Sequence, residues 1–209
     1  MRISLIGMSN IGKSTWAKRM AAGKGWKKID CDALIEKKLA PELAQKGYVG
    51  LQGMAAWMGF PFDPQYQANS GLYLSYEQEV MRETLGQLRK DAASSTVIDT
   101  TGSVIYTGAD ILAELRDVTR VVYFEASEEH IEYLYQRYLK HPKPVIWSDK
   151  YTPRKGETQE ETLKRCYPEL LRDRARQYGK IAHMTIPFQQ HRNRKADIDA
   201  LIIDQIGNS

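Results

Sequence analysis

Gly7-Met8-Ser9-Asn10-Ile11-Gly12-Lys13-Ser14-Thr15 follows the apolar run Ile3-Ser4-Leu5-Ile6 at the start of a 209-residue chain. A glycine, four free positions and then Gly-Lys-Ser is the spacing of a phosphate-binding loop, and each fixed residue has a mechanical reason for its place. Gly7 and Gly12 let the backbone turn tightly and bring its N–H groups onto phosphate oxygens, where a β-carbon would obstruct them. Lys13 reaches the β- and γ-phosphates of such a ligand, and the Ser14 hydroxyl reaches its Mg²⁺. The helix expected to start near Gly12 adds the positive end of its dipole under the same anion. A strand before the loop and a helix after it complete the pattern and predict that Gly7, Asn10, Ile11, Gly12, Lys13, Ser14 and Thr15 hold a nucleoside triphosphate with Mg²⁺.

Outward from this loop, composition sets bounds. With 42% hydrophobic residues the chain is long enough for one well-buried domain and short for two, so residues 1–209 are read as a single domain. Thirty basic and 26 acidic residues leave a net charge of +4, mild and mixed in sign. That balance suits a small anionic substrate and does not by itself imply nucleic acid. Cys31 and Cys166 lack metal-ligand spacing and point to a reduced protein. With no apolar segment of about 18 residues and no room for a leader before the first strand, a cytoplasmic protein without a membrane partner is expected.

Short apolar runs alternate with longer amphipathic ones, the signature of an α/β fold with helices around a parallel sheet. Candidate strands are 3–6, 26–29, 96–98, 120–124 and 182–186; candidate helices are 13–22, 33–39, 76–90, 109–115, 128–139, 160–181 and 196–206. Ser127 ahead of Glu128 and Glu129, and Thr158 or Gln159 ahead of Glu160, are start signals. Pro168 is expected to kink or break the helix it falls in. Two segments resist the alternation. Residues 40–75 mix Pro41, Gly47, Gly50, Gly53, Gly59, Pro61, Pro64 and Gly71 with the aromatic residues Trp57, Phe60, Phe62, Tyr66 and Tyr73, which predicts a compact, irregular insertion with its own apolar cluster. Residues 140–158, polar, basic and proline-rich, read as a mobile flap. The tail from about 189 reads as a solvated basic approach, His191-Arg192-Asn193-Arg194-Lys195, followed by a packing helix.

In a parallel sheet the carboxyl ends of the strands open onto one edge, where ligands bind. Asp30-Cys31-Asp32 ends the second strand there, and Asp99-Thr100-Thr101-Gly102 ends the third. One carboxylate of the first pair can support Mg²⁺ while the other orients or deprotonates an acceptor hydroxyl, or one of them caps the helix at Ala33. Asp99 is placed as a magnesium-organising carboxylate, and Thr100, Thr101 and Gly102 would offer hydroxyls and backbone N–H groups to the acceptor; an ordinary strand exit has equal claim on local sequence. Arg137, Lys143, Arg154, Arg165, Arg172, Arg174 and Arg176 crowd the flap and the helix behind it. Phosphoryl transfer relies on cationic stabilisation, so two or three of them are expected at the site.

Together these residues resemble the shikimate kinase family, within the nucleoside monophosphate kinase-like P-loop kinases. The resemblance runs through the 7–15 loop, Asp30-Cys31-Asp32 where that family has Asp-Thr-Asp, residues 96–104 where it has a triple-glycine turn, residues 121–127, and Lys143-Pro144-Val145-Ile146, which looks like its lid-opening Arg-Pro-Leu-Leu. Arg174-Ala175-Arg176-Gln177-Tyr178 is similar to its Arg-x-x-Leu-Tyr motif, with a rival alignment onto Arg165. It covers most of residues 1–188, and only the phosphate loop is highly specific. The resemblance implies a three-layer P-loop kinase fold, a five-stranded parallel sheet in the order 2-3-1-4-5 with a lid (140–158) and a substrate-binding insertion (40–75). It further implies that Asp32 grips the acceptor hydroxyl, Asp30 supports Mg²⁺, Lys143 replaces the lid arginine, Arg137 lies near the adenine, and Arg174 joins the transition-state clamp and the acceptor site. The departures fall on the acceptor side. Leu74 stands where the family has a carboxylate-gripping arginine, which an apolar side chain cannot replace, although Arg82 or a residue of the insertion could supply the cation. Thr100 and Thr101 replace two of the three glycines.

The expected activity is therefore ATP-dependent transfer of the γ-phosphoryl group to a hydroxyl of a small substrate other than shikimate. Plain shikimate kinase, a nucleoside or polynucleotide 5′-hydroxyl kinase, and a non-catalytic nucleotide-binding scaffold are the alternatives. A monomer or weak homodimer is expected, with no nucleic acid bound.

Overall fold

The sequence folds, in a computed structural model that describes residues 1–91, 93–193 and 200–202, as a parallel sheet sandwiched between helices. In chain order the elements are β1 (Arg2–Gly7), α1 (Lys13–Lys24), β2 (Lys27–Asp30), α2 (Cys31–Ala44), α3 (Gly50–Met58), α4 (Tyr66–Lys90), β3 (Thr96–Asp99), α5 (Ala109–Val118), β4 (Arg120–Phe124), α6 (Ile131–Lys140), α7 (Gln159–Ile181), β5 (Met184–Ile186) and α8 (Phe188–Arg192). Single 3-10 turns stand at Val104–Tyr106 and Glu128–His130. All strand pairs are parallel, in the order β2-β3-β1-β4-β5. Every residue of β3 and nearly every residue of β1 and β4 is buried, as befits strands covered on both faces. The register sets Asp99 beside both Leu5 and Asp30, and Gly7 beside Phe124. The functional strand ends therefore come level at one edge.

Three expectations change. Residues 40–75 are mostly helical and share the main core through Met54, Trp57, Met58, Tyr66 and Tyr73; they form no cluster of their own. α2 runs through Pro41 because Leu39 and Leu43 on either side are fully buried. Burying two leucines at about 2 kcal/mol each outweighs the ~3 kcal/mol of an interior proline. α7 likewise continues through Pro168, with Leu163, Cys166, Tyr167, Leu170 and Leu171 buried around it. Its start is as read: Thr158 and Glu161 form a reciprocal capping box. Ser127, by contrast, precedes the 3-10 turn and hydrogen-bonds the His130 ring, and α6 begins three residues later than the turn.

The flap is in part a fixture. Pro144 through Trp147 are buried, and the Tyr66 hydroxyl donates to the Val145 carbonyl at 2.9 Å while accepting from the Trp147 amide at 2.7 Å. Trp147 packs among Tyr138, Tyr151 and Tyr167. The C-terminal helix expected at 196–206 lies outside the described residues except at 200–202, which are helical with Ile202 buried. No helix among the described residues is long and apolar enough to cross a membrane, and both cysteines are free and buried.

Candidate active site

The 7–15 loop leaves β1 through conformations that favour glycine: φ is +140° at Gly7 and +117° at Gly12, and Asn10 also takes a positive φ of 65°. At Gly7 a β-carbon would meet the Phe124 carbonyl oxygen at 2.6 Å, because β1 and β4 are still paired there. Gly12 caps α1 without a side-chain oxygen, so the first-turn amides are left to an anion. Lys13 curls back over the loop and donates to the carbonyls of Gly7 (2.8 Å) and Met8 (3.0 Å). Burial lowers its pKa to about 8; Lys143 and Arg174 push the same way, against Asp99 and Asp32. A phosphate oxygen would supply the missing counter-charge.

A cavity of about 240 Å³ opens above the loop at the carboxyl edge of the sheet. It is lined by Lys13, Ser14 and the loop backbone, by Asp32, Thr100 and Gly102 from the ends of β2 and β3, and by Lys143, Arg137, Tyr133 and Arg192. Of the predicted donor residues, Asn10, Gly12, Lys13, Ser14, Thr15 and Arg137 line it; Gly7 and Ile11 shape the loop beneath.

The two carboxylates after β2 divide their work. α2 begins at Cys31, two residues earlier than expected, so Asp30 is the cap, accepting from the Ala33 amide at 3.2 Å and from the Lys28 ammonium at 2.6 Å. Asp32 lines the cavity, and its Oδ1 accepts from the Tyr73 hydroxyl at 3.5 Å. Burial raises its pKa, opposed by Lys143 and Lys13, which suits a carboxylate that takes a proton from a hydroxyl. Asp99 is buried beside Lys13 and the Ser14 hydroxyl, its pKa also raised by burial. Among the described residues no three metal-ligating side chains stand together. Ser14 with Asp99 is still a hard-oxygen donor set of the kind that holds Mg²⁺ when phosphates and water complete the shell.

The acceptor wall is arranged differently from expectation. Thr101 turns its hydroxyl away from the cavity to the Glu77 carboxylate, whose other oxygen accepts from Ser103 at 2.6 Å; Thr100 lines the cavity instead. Gly102 is wedged so close to the loop that a β-carbon would lie 2.6 Å from Ser9 Oγ. Its carbonyl accepts from Tyr178 and from Arg174 (3.1 Å). Arg174 spends its second nitrogen on the Ile146 carbonyl at 2.6 Å and, itself buried, forms the backing of the cavity and no part of its lining. Arg165, the rival for its role, pairs with Glu157; Arg172 pairs with Glu128 and Arg176 with Asp173. Arg154 is exposed. Leu74 lines a separate groove with Trp147 and Tyr151, and Arg82, the candidate replacement cation, pairs with Asp110.

Glu77 is fully buried, and burial lifts its pKa from 4.5 to about 7 against the hydroxyls of Ser103 and Thr101. A raised carboxylate favours the folded state most below its unfolded value, and that contribution is lost as pH rises through the folded one. Stability should thus fall between pH 4.5 and 7 on this account. Glu77→Gln is expected to flatten that slope and to raise the melting temperature at pH 8, read by thermal denaturation across pH; an unchanged slope would refute the assignment.

Sequence reasoning missed Arg192, Tyr133 and Lys28. The basic run at 191–195 looked solvated, yet His191 is buried, donates to the Glu125 carbonyl at 2.8 Å, and has its own carbonyl bound by the Trp16 indole. This anchor aims Arg192 at the cavity, over the rings of Tyr133 and Phe188. The only hint was the aromatic Phe188 and the helix-long spacing from β5.

No protein-family model matches the sequence, nor does any curated protein. Solved structures do. The chain is similar to the shikimate kinase from Acinetobacter baumannii in complex with shikimate, at 21% identity and a TM-score of 0.62 over 98% of this chain and 93% of that one. Shikimate kinase from Bacteroides thetaiotaomicron follows at 16% and 0.61, over 100% and 99%. Dephospho-CoA kinase from Campylobacter jejuni matches at 14% and 0.51, over the full length of both. With its strand order of 2-3-1-4-5 and its loop between β1 and α1, the chain has the fold of the shikimate kinase-like P-loop kinases.

Proposed function

We propose that the protein is an ATP-dependent kinase that transfers the γ-phosphoryl group to a hydroxyl of a small substrate, and that this acceptor is not shikimate. One observation carries the reading. The cavity gathers the phosphate loop, the Asp32 carboxylate and three cations from separate elements, Lys143, Arg137 and Arg192, around one space at the sheet edge. Lys13 and the α1 amides bind the β- and γ-phosphates; Arg137, Tyr133 and Arg192 border the rest of the nucleotide. Ser14 and Asp99 hold Mg²⁺, which when bound neutralises phosphate charge. Asp32 accepts the proton of the attacking hydroxyl, and Lys143, which lines the same cavity, stabilises charge on the transferred group. Asp30, engaged as cap and ion pair, supports the site at one remove.

Support for a different acceptor comes from Leu74, Arg82 and Thr101. Among the described residues no cation lines the groove that holds Leu74, and the Thr101 hydroxyl is committed to Glu77. Thermal-shift measurements with a non-hydrolysable ATP analogue and Mg²⁺, then with a panel of hydroxylated metabolites, test this, since ligand binding raises apparent stability by mass action. The analogue should stabilise the protein and shikimate should add nothing. Phosphorylation of shikimate in a coupled assay would overturn the acceptor reading, and no shift with the analogue would overturn the donor reading.

A further inference from the structure

Along β2 the period-two alternation puts Lys28 and Asp30 on one face, and the register with β3 brings Asp99 onto that face beside Asp30. The Lys28 ammonium lies 2.6 Å from Asp30 Oδ2 and 3.9 Å from Asp99 Oδ2. Its side chain is 18% exposed and that of Asp99 only 5%. The Ser14 hydroxyl meets Asp99 from α1. A fixed positive charge therefore stands between the two carboxylates that the sheet edge presents to a metal. An ammonium there repels a divalent ion and satisfies the oxygens that would bind it.

We infer that Lys28 is a built-in counter-ion that denies Asp30 and Asp99 a divalent metal until a nucleotide brings one. The inference rests on reading the cavity as the donor site. With Lys28 present, the carboxylate pair carries a net charge of −1, too little to dehydrate Mg²⁺, which parts with its waters reluctantly. Phosphate oxygens must then supply the balance, so the metal enters as its nucleotide complex. Asp99 and Ser14 remain available to that complex because Lys28 holds Asp99 more loosely than Asp30. Lys28 is in this sense a positioning residue: it sets when the metal binds without touching the reacting atoms.

The test is Mn²⁺ binding followed by electron paramagnetic resonance on the whole protein without nucleotide, for the native chain, Lys28→Met, Lys28→Gln and Lys28→Arg, with circular dichroism to verify folding. Removal of a unit charge at these distances should tighten Mn²⁺ binding by about tenfold or more in the Met and Gln variants. Lys28→Arg should match the native chain, and Asp30→Asn added to Lys28→Met should erase the gain. Equal Mn²⁺ affinity in native protein and both neutral variants, or a gain in Lys28→Arg, overturns the inference. Binding of the ATP analogue is measured alongside. Should the neutral variants gain Mn²⁺ while no form binds the analogue, the counter-ion stands and the kinase reading falls.

Discussion

Lys13→Met is expected to lower phosphoryl transfer on the order of a thousandfold while leaving the protein at least as stable as the native chain. The first half follows from removing the one cation that curls directly over the loop where the phosphates bind. The second follows from burial. With an ordinary value of 10.5 and a folded value of about 8, the ammonium is disfavoured in the folded state by about 3 kcal/mol below pH 8. Two charge-assisted hydrogen bonds to Gly7 and Met8 are lost with it, and the relief of the buried charge offsets them. Between pH 8 and 10.5 the unfolded chain binds more protons than the folded one, so the penalty fades and native stability rises with pH through that window. Lys13→Met lacks that rise. Melting curves from pH 7 to 10.5 should show the variant above the native protein at neutral pH and the two converging in alkali. A variant that melts well below the native protein at pH 7, or that keeps full turnover, would sink the account.

Gly7→Ala is expected to be among the most damaging single-methyl substitutions in the chain. Its β-carbon would lie 2.6 Å from a backbone oxygen of the adjacent strand, at a φ of +140° that L-residues rarely adopt. Neither strand can yield, since Phe124 and Ile6 are fully buried. Strain of ~1–3 kcal/mol and the overpacking of a filled site, another ~1–3 kcal/mol, imply a melting temperature lower by roughly 10 °C for a domain of this size. Gly12→Ala provides the contrast. Its φ is +117°, but an added β-carbon has nothing within 4 Å. Only the strain remains, so thermal denaturation should find it the milder of the two in stability. Equal losses would show that backbone strain, and not the contact with β4, sets the effect.

The loop and the sheet-edge carboxylates were legible because they rest on local rules, fixed spacing and strand ends that open on one side, whereas the strand order was implied by the resemblance to the shikimate kinase family. What escaped was set by packing at a distance. Which of Asp30 and Asp32 caps the helix was open in the sequence; Asp30 takes the cap because α2 starts at Cys31, a buried residue that shares the core with Ile35 and Leu39. Thr101 was read as facing the acceptor, but one residue of register hands the cavity to Thr100 and gives Thr101 to Glu77, which arrives from α4. Residues 40–75 carry strong turn signals, yet their aromatic and methionine side chains had a large core to join, and helices were the way to reach it. Lys28 and Arg192 were illegible for a simpler reason. A lysine in a strand and an arginine in a basic run look solvated until the neighbouring elements are known.

The Tyr66 hydroxyl, bound on both sides to the chain at Val145 and Trp147, anchors the backbone that follows Lys143. A cation on a free flap surrenders conformational entropy each time it closes on a ligand, about 1–2 kcal/mol for every backbone residue that becomes ordered. Here that ordering happened once, during folding. If Lys143 acts as proposed, the anchored segment beside it lowers the ordering cost of each encounter with a ligand.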